Sequence, residues 1–242
     1  MSRRRRAAGW VPNQHGAWAM LASPILLGAL ASGPSWRHVP LALFWFAGYF
    51  AFFATSLWLK SGRRARYLPP VRAYAALATA SGVLTATTSP GLLRWAPGFV
   101  LPLGVGLWAA ARRHERELLA GLTTVVGSAL MTVVAYDAAG GEDLRRASLL
   151  ALGQFLYFGG TVCYVKSMIR ERGNPRYLAL SIGWHALAVV AMVGFSPWLG
   201  AVLAVLAVRA AVVPRYALSP AQIGIGEIGS TLAVGVVSLL TL

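Results

Sequence analysis

Acidic side chains are the scarcest resource in this chain: seven Asp and Glu stand against 22 Lys and Arg, and only 12% of its 242 residues are charged. A soluble domain of this length carries about twice that charged fraction, so an ordinary soluble globular class is excluded. Cysteine is nearly absent as well. The single Cys163 rules out an intramolecular disulfide and any multi-cysteine metal centre, and its place in an apolar run makes it a packed thiol. The four histidines, His15, His38, His114 and His185, do not fall at metal-ligand spacing, so no metal is expected. No P-loop lysine, G-x-S-x-G, H-E-x-x-H or C-x-x-C occurs, which removes the common soluble chemistries and any cofactor tied to them. No two aspartates stand four residues apart, so the oxygen ligands that let magnesium bridge a diphosphate are missing.

What the chain has in abundance is apolar length. It is 57% hydrophobic with a mean hydropathy of +0.61, and a spanning helix needs about 20 mostly apolar residues. On that scale nine spans are expected: 15 to 33, 40 to 60, 71 to 89, 91 to 111, 118 to 139, 147 to 169, 177 to 195, 198 to 214 and 221 to 241. The fourth carries Pro97 and Pro102 and is expected to be kinked. The first is expected to be a retained span, since further apolar segments follow it where a secreted chain would turn polar. The expected fold class is therefore all-α, a polytopic transmembrane bundle, with residues 1–14 as a basic tail and 15–242 as one helical domain.

The charges orient it. With the N-terminus in the cytoplasm, eighteen Lys and Arg fall on the inside, among them Arg3 to Arg6, Lys60, Arg63, Arg64, Arg66 and Arg72. Only Arg37, Arg94, Arg145 and Arg146 fall outside. That asymmetry alternates loop by loop and predicts an N-in, C-out topology in a bacterial plasma membrane. Because the basic residues cluster in short loops beside apolar spans, the expected partners are membrane lipids, with anionic headgroups on the cytoplasmic side. Nucleic acid is not expected, and oligomeric state is left open.

Ionisable residues inside spans are costly and mark functional sites. Glu227 lies seven residues past Pro220, about 10 Å into the ninth span at 1.5 Å per residue. Arg209 stands five residues before Pro214, at a similar depth, so that a Glu227–Arg209 ion pair eases the burial of both. His185 falls in the same layer. Lys60, Lys166 and Arg170 end the second and sixth spans, and with Asn13, Gln14 and His15 they are expected to form a cationic collar at the cytoplasmic side. The candidate ligand-binding residues are thus Asn13, Gln14, His15, Lys60, Lys166, Arg170, Arg209 and Glu227; the candidate acid–base groups are His185, Glu227 and Glu171. Each has a plainer structural counterpart: snorkelling for Lys60 and Lys166, a packed histidine at 185, a structural ion pair at 227, an interfacial anchor at 13 to 15.

The opening Pro12-Asn13-Gln14-His15-Gly16-Ala17-Trp18-Ala19-Met20-Leu21, with Pro24, resembles the start of the YwiC-like family of bacterial integral membrane proteins. So does Tyr164-Val165-Lys166-Ser167-Met168-Ile169-Arg170-Glu171-Arg172-Gly173-Asn174. A more distant likeness is to the UbiA-type intramembrane prenyltransferases. Arg64-Ala65-Arg66-Tyr67-Leu68-Pro69-Pro70 is similar to their R-x-R-P-L-P stretch, and Arg112-Arg113, Gly121 and Ala139-Gly140 parallel their fourth-to-fifth helix passage. That resemblance implies nine helices around a cytoplasm-facing cavity. Where those enzymes carry aspartate-rich motifs, however, this chain has Lys60-Ser61-Gly62-Arg63-Arg64 and Lys166-Ser167-Met168-Ile169-Arg170-Glu171, so magnesium-assisted ionisation of a prenyl diphosphate is not expected.

Three functions compete on these residues. The first is binding or transport of an amphipathic anionic lipid or isoprenoid in a cationic cavity. The second is a metal-independent UbiA-like transferase working through His185, Glu227 or Glu171. The third is a scaffold or assembly factor for a respiratory membrane complex.

Overall fold

In the computed structural model, residues 9–12, 15–113, 118–216 and 220–242 are described, with the side chains of His15, Gly16, Pro220, Ala221, Ile223 and Ile225 left aside. Among them are nine α-helices and no strand: α1 (His15–Ser32), α2 (His38–Lys60), α3 (Leu68–Thr88), α4 (Ala96–Arg112), α5 (Leu118–Ala138), α6 (Leu144–Ile169), α7 (Pro175–Val193), α8 (Pro197–Val212) and α9 (Pro220–Thr241). Their bounds agree with the nine expected segments to within a few residues. Among the described residues, six stretches are long and apolar enough to cross a membrane, namely α2, α5, α6, α7, the α8 stretch Pro197–Arg215, and Pro90–Arg112 containing α4. The chain is a multi-pass membrane protein. The α3 helix is richer in hydroxyls, which bond back to its own carbonyls, Ser81 to Leu77 at 2.6 Å and Thr85 to Ser81 at 2.8 Å, a way of satisfying polar groups in apolar surroundings.

The helix starts are written in the sequence. Asn174-Pro175 and Ser196-Pro197 each place a capping oxygen before a proline that needs no donor in the first turn. Asn174 accepts from the amides of Arg176 and Tyr177, and Ser196 accepts from that of Leu199 at 3.0 Å. The fourth expected span differs in detail. Residues Pro90–Trp95 form a 3₁₀ segment and α4 starts at Ala96. Pro97 therefore lies in the first turn, where it costs no hydrogen bond, and only Pro102 is interior.

The chain groups into two compact units. The first comprises Met1–Gln14 and Pro34–Thr124 and the second His15–Gly33 and Val125–Leu242. In the first, α2 packs along α3 and α4, and its aromatics fill notches left by glycine. A Cβ on Gly82 would lie 3.0 Å from the Phe44 ring, and one on Gly106 would lie 2.8 Å from that of Phe52. Tyr74 donates to the Trp10 carbonyl at 2.6 Å, tying the start of the described chain to α3.

In the second unit α6 is the hub, packed against α1, α7 and α9, with α8 bridging α7 and α9. Its glycines admit two large rings of α7. Trp184 occupies the space a Cβ on Gly159 would take and donates to the Leu156 carbonyl at 2.8 Å, while His185 lies against Gly160. Phe158, Met192, Leu199, Leu203 and Val234 are fully buried in the core beneath. At the other end of α6, Arg146 donates to the Ala31 carbonyl at 3.3 Å and to that of Leu239 at 3.5 Å. A cation there meets the partial negative charge of two helix C-termini, α1 and α9. Hydrogen bonds to a charged group contribute about 1.5–3 kcal/mol, so Arg146→Ala is expected to lower the thermal unfolding midpoint of the purified protein. Arg146→Lys, which reaches one carbonyl, is expected to lower it less.

Candidate functional site

Four polar residues of α6, Gln154, Tyr157, Thr161 and Tyr164, recur at intervals of three, four and three and so share one face of the helix. All four are buried. On α9, Glu227 and Thr231 stand one turn apart on the face that meets this stripe. Arg209 enters from α8. These three helices bring Tyr157, Thr161, Arg209, Glu227 and Thr231 into one polar cluster.

At its centre Arg209 Nη2 approaches Glu227 Oε1 to 2.9 Å. The contact is a charge pair without hydrogen-bond alignment, since neither atom finds a partner of sound angular geometry among the described residues, and Arg209 Nε is likewise buried without an acceptor. The second carboxylate oxygen is better served. Glu227 Oε2 accepts from the Thr161 hydroxyl at 3.0 Å and lies 3.5 Å from the Tyr157 hydroxyl. The same Tyr157 oxygen is 3.1 Å from the Glu227 carbonyl and 2.9 Å from Thr231 Oγ1. Arg209 Nη1 donates to Ser230 at 3.0 Å, and the guanidinium lies 4.4 Å from the centroid of the Tyr164 ring, a cation–π distance. The Arg209 and Glu227 side chains keep 19% and 13% of their surface exposed, while Arg209 Nε and Nη2 and Glu227 Oε1 are themselves buried.

Physically this is a net-neutral site held by a mixture of strong and incomplete contacts. Two opposite charges removed from water lose solvation that their attraction recovers only when the remaining donors and acceptors are met. Here Oε2 is met and the Nε–Nη2 edge of Arg209 is not.

His185 lies one layer behind. Its Nδ1 is 2.8 Å from the Ser181 carbonyl; a carbonyl can only accept, so this nitrogen carries the proton in the assigned tautomer. Nε2 faces the Gly160 backbone, where a Cβ would come within 2.9 Å of it. The expected pairing of Glu227 with Arg209 is formed, and His185 flanks it through Gly160 and Thr161.

Asn13 and Gln14 lie outside the described residues, and of His15 only the backbone, opening α1, is described. Lys60 belongs to the first unit, where its carbonyl accepts from Arg113 at 3.3 Å. Lys166 and Arg170 belong to the second unit: the Lys166 ammonium lies 6.0 Å from the Tyr177 ring centroid, and Arg170 is exposed at the end of α6. Glu171 accepts from the Asn174 side chain at 2.9 Å and thereby steadies the cap of α7. Tyr157, Thr161, Tyr164, Ser230 and Thr231 were not singled out from sequence. The three-four-three spacing along α6 was the signal available for the first three. Among the described residues no group of three or more His, Cys, Asp or Glu is placed to hold a metal.

A family model described as "YwiC-like protein" matches residues 11–136. The chain is 33% identical over 178 residues to the Bacillus subtilis (strain 168) "Uncharacterized protein YwiC", covering 73% of this chain and 74% of that one. It is 28% identical over 222 residues to an "Uncharacterized protein" of Haemophilus influenzae, covering 91% and 93%. No solved structure matches, so the likeness to UbiA-type prenyltransferases gains no support from that side.

Proposed function

The chain belongs to the YwiC-like family, and from that premise we propose that it is a membrane-embedded binding or transport protein. Its ligand is an amphipathic anion, a lipid or isoprenoid, whose charged head is received by Arg209 from the cytoplasmic side of a bacterial plasma membrane. The observation that carries this reading is the incomplete coordination of Arg209. An arginine held in an apolar bundle, stacked on Tyr164 and fixed by Ser230, keeps a donor without an acceptor on the edge that binds anions two-pronged. Each unmet buried donor costs free energy, which an arriving acceptor would recover. Lys166 and Arg170, on the same helix as Tyr164 and nearer its end, would draw the anionic head toward the membrane surface before it reaches the pair.

Native mass spectrometry of the protein released from a mild detergent tests this reading. The wild type is expected to carry an anionic amphiphile, identified by its mass after extraction. Arg209→Gln is expected to lose it while keeping the zwitterionic lipids that coat the apolar faces. Equal retention of the anion by both proteins would contradict the proposal.

A further inference from the structure

Glu227 already occupies the place an anion would take, and it occupies it poorly. Its Oε1 faces Nη2 of Arg209 at 2.9 Å without alignment, while the adjoining Nε has no acceptor. A free carboxylate has two oxygens at the spacing of the Nε–Nη2 edge and no tether to α9, so it meets both donors where Glu227 meets one. The site thus displays, in its own side chain, the chemical group it fits.

Charge balance supplies the second half of the argument. With Arg209 and Glu227 both ionised the site is neutral. Bringing in an anion alone would leave an excess negative charge in the bundle, which is expensive in apolar surroundings. Adding one proton to Glu227 together with the anion restores neutrality: the carboxylate of Glu227 becomes a carboxylic acid, the incoming carboxylate takes over the guanidinium, and no net charge is buried. Glu227 has places for the proton it gains. Oε2 lies 3.0 Å from Thr161 and 3.5 Å from Tyr157, hydroxyls that donate to the ionised form and accept from the protonated one. The titratable or charged groups around Glu227 are Arg209 from α8, Tyr157 and Tyr164 from α6, and His185 from α7 behind Gly160. The α1 helix, which also packs on α9, brings none among its described side chains.

We infer that the Arg209–Glu227 pair is a proton-linked carboxylate site, in which an amphipathic carboxylate displaces Glu227 from Arg209 as Glu227 takes up one proton. This rests on the reading of Arg209 as an anion receptor and adds to it the ligand class and the coupling. The amphipathic character follows from the flanks. Val205 and Val208 on α8, and Ile228 and Leu232 on α9, are exposed and apolar, so a tail leaving the site along either helix runs over apolar surface.

The test is isothermal titration calorimetry of the full chain in phosphatidylcholine nanodiscs, with empty nanodiscs subtracted. The probe is perfluorodecanoate, a carboxylate that stays ionised throughout the titration. Repeating it in buffers of different ionisation enthalpy counts protons. Wild-type protein is expected to take up about one proton per probe bound, and its affinity to fall as pH rises, by about tenfold per pH unit at full coupling. Glu227→Gln is expected to bind with no proton uptake and no pH dependence, and Arg209→Gln to bind no more than empty nanodiscs. Trifluoroacetate, the same head without a tail, is expected to bind far more weakly. If wild-type binding depends on Arg209 but moves no proton, the exchange is wrong and the anion receptor survives. If Arg209→Gln binds as the wild type does, or no probe binds, both readings fall. Equal affinity for trifluoroacetate would overturn the amphipathic assignment. Should Arg209→Gln not fold, Arg209→Lys keeps the counter-charge for Glu227 but removes the two-pronged edge, and weaker perfluorodecanoate binding by a folded protein is then the expected result. Undiminished binding by Arg209→Lys would contradict it.

Discussion

Arg209→Ala is expected to destabilise the second unit by about 3–5 kcal/mol, because it strands the Glu227 carboxylate in the bundle without its counter-charge. Glu227→Ala is expected to cost about as much, leaving the guanidinium on Tyr164 and Ser230 alone. The two losses should not add. When both partners are replaced by apolar side chains of similar volume, as in Arg209→Met with Glu227→Leu, the desolvation cost disappears with the charges, and such replacements of buried pairs are commonly neutral or stabilising by about 1–4 kcal/mol. Thermal unfolding of the four purified proteins, followed by loss of monodispersity on size exclusion, gives the comparison. A double variant as unstable as either single one would mean the pair holds the helices together by its own attraction. A double variant at least as stable as the wild type would mean the charges are retained for something other than folding.

The second large effect is expected at Gly28. A Cβ there would fall on the Thr132 carbonyl oxygen and within 2.8 Å of Ala135 Cβ. One obstacle is backbone and cannot swing aside, so α1 would have to move off α5. Small residues at such crossings let helix backbones approach closely, and membrane helices depend on that contact for association. Gly28→Ala is expected to cost about 1–3 kcal/mol as an overpacking substitution, and Gly28→Leu to prevent recovery of monodisperse protein. Gly48 is the control. It lies inside α2 with nothing within 4 Å of its would-be Cβ, so Gly48→Ala should be neutral or stabilise by up to about 1 kcal/mol through helix propensity alone. Similar behaviour of the two alanine variants would contradict the close α1–α5 approach.

The helices were legible because their signals are local. Apolar length fixed the spans, while the capping steps Asn174-Pro175 and Ser196-Pro197, equally local, went unused in placing the starts at 177 and 198. The pairing of Glu227 with Arg209 was legible for a different reason: two charges at equal depth in an apolar bundle have little else to do. What the sequence hid was the rest of the cluster. Tyr157, Thr161 and Tyr164 are ordinary residues in a membrane helix, and only the α6 stripe, seen against Glu227 and Thr231 one turn apart on α9, gives them a shared role. The cationic collar grouped Lys60, Lys166 and Arg170 by depth alone; Lys60 falls in one compact unit and the other two in the second, and depth along a helix carries no information on which way a side chain faces. Glu171, expected as an acid–base candidate, accepts from the Asn174 side chain at the α7 cap, a bond that its place near a helix end did not foretell.

The most direct measurement is a crystal structure of the wild-type protein grown with 2-bromohexadecanoate, in which the bromine stands beside the carboxylate and reports its place by anomalous scattering. The expected result is one strong peak next to the Arg209 guanidinium, with Glu227 turned away from Nη2. A peak elsewhere in the molecule, or an Arg209–Glu227 pair left intact at saturating ligand, would contradict the assignment of this pair as an anion site.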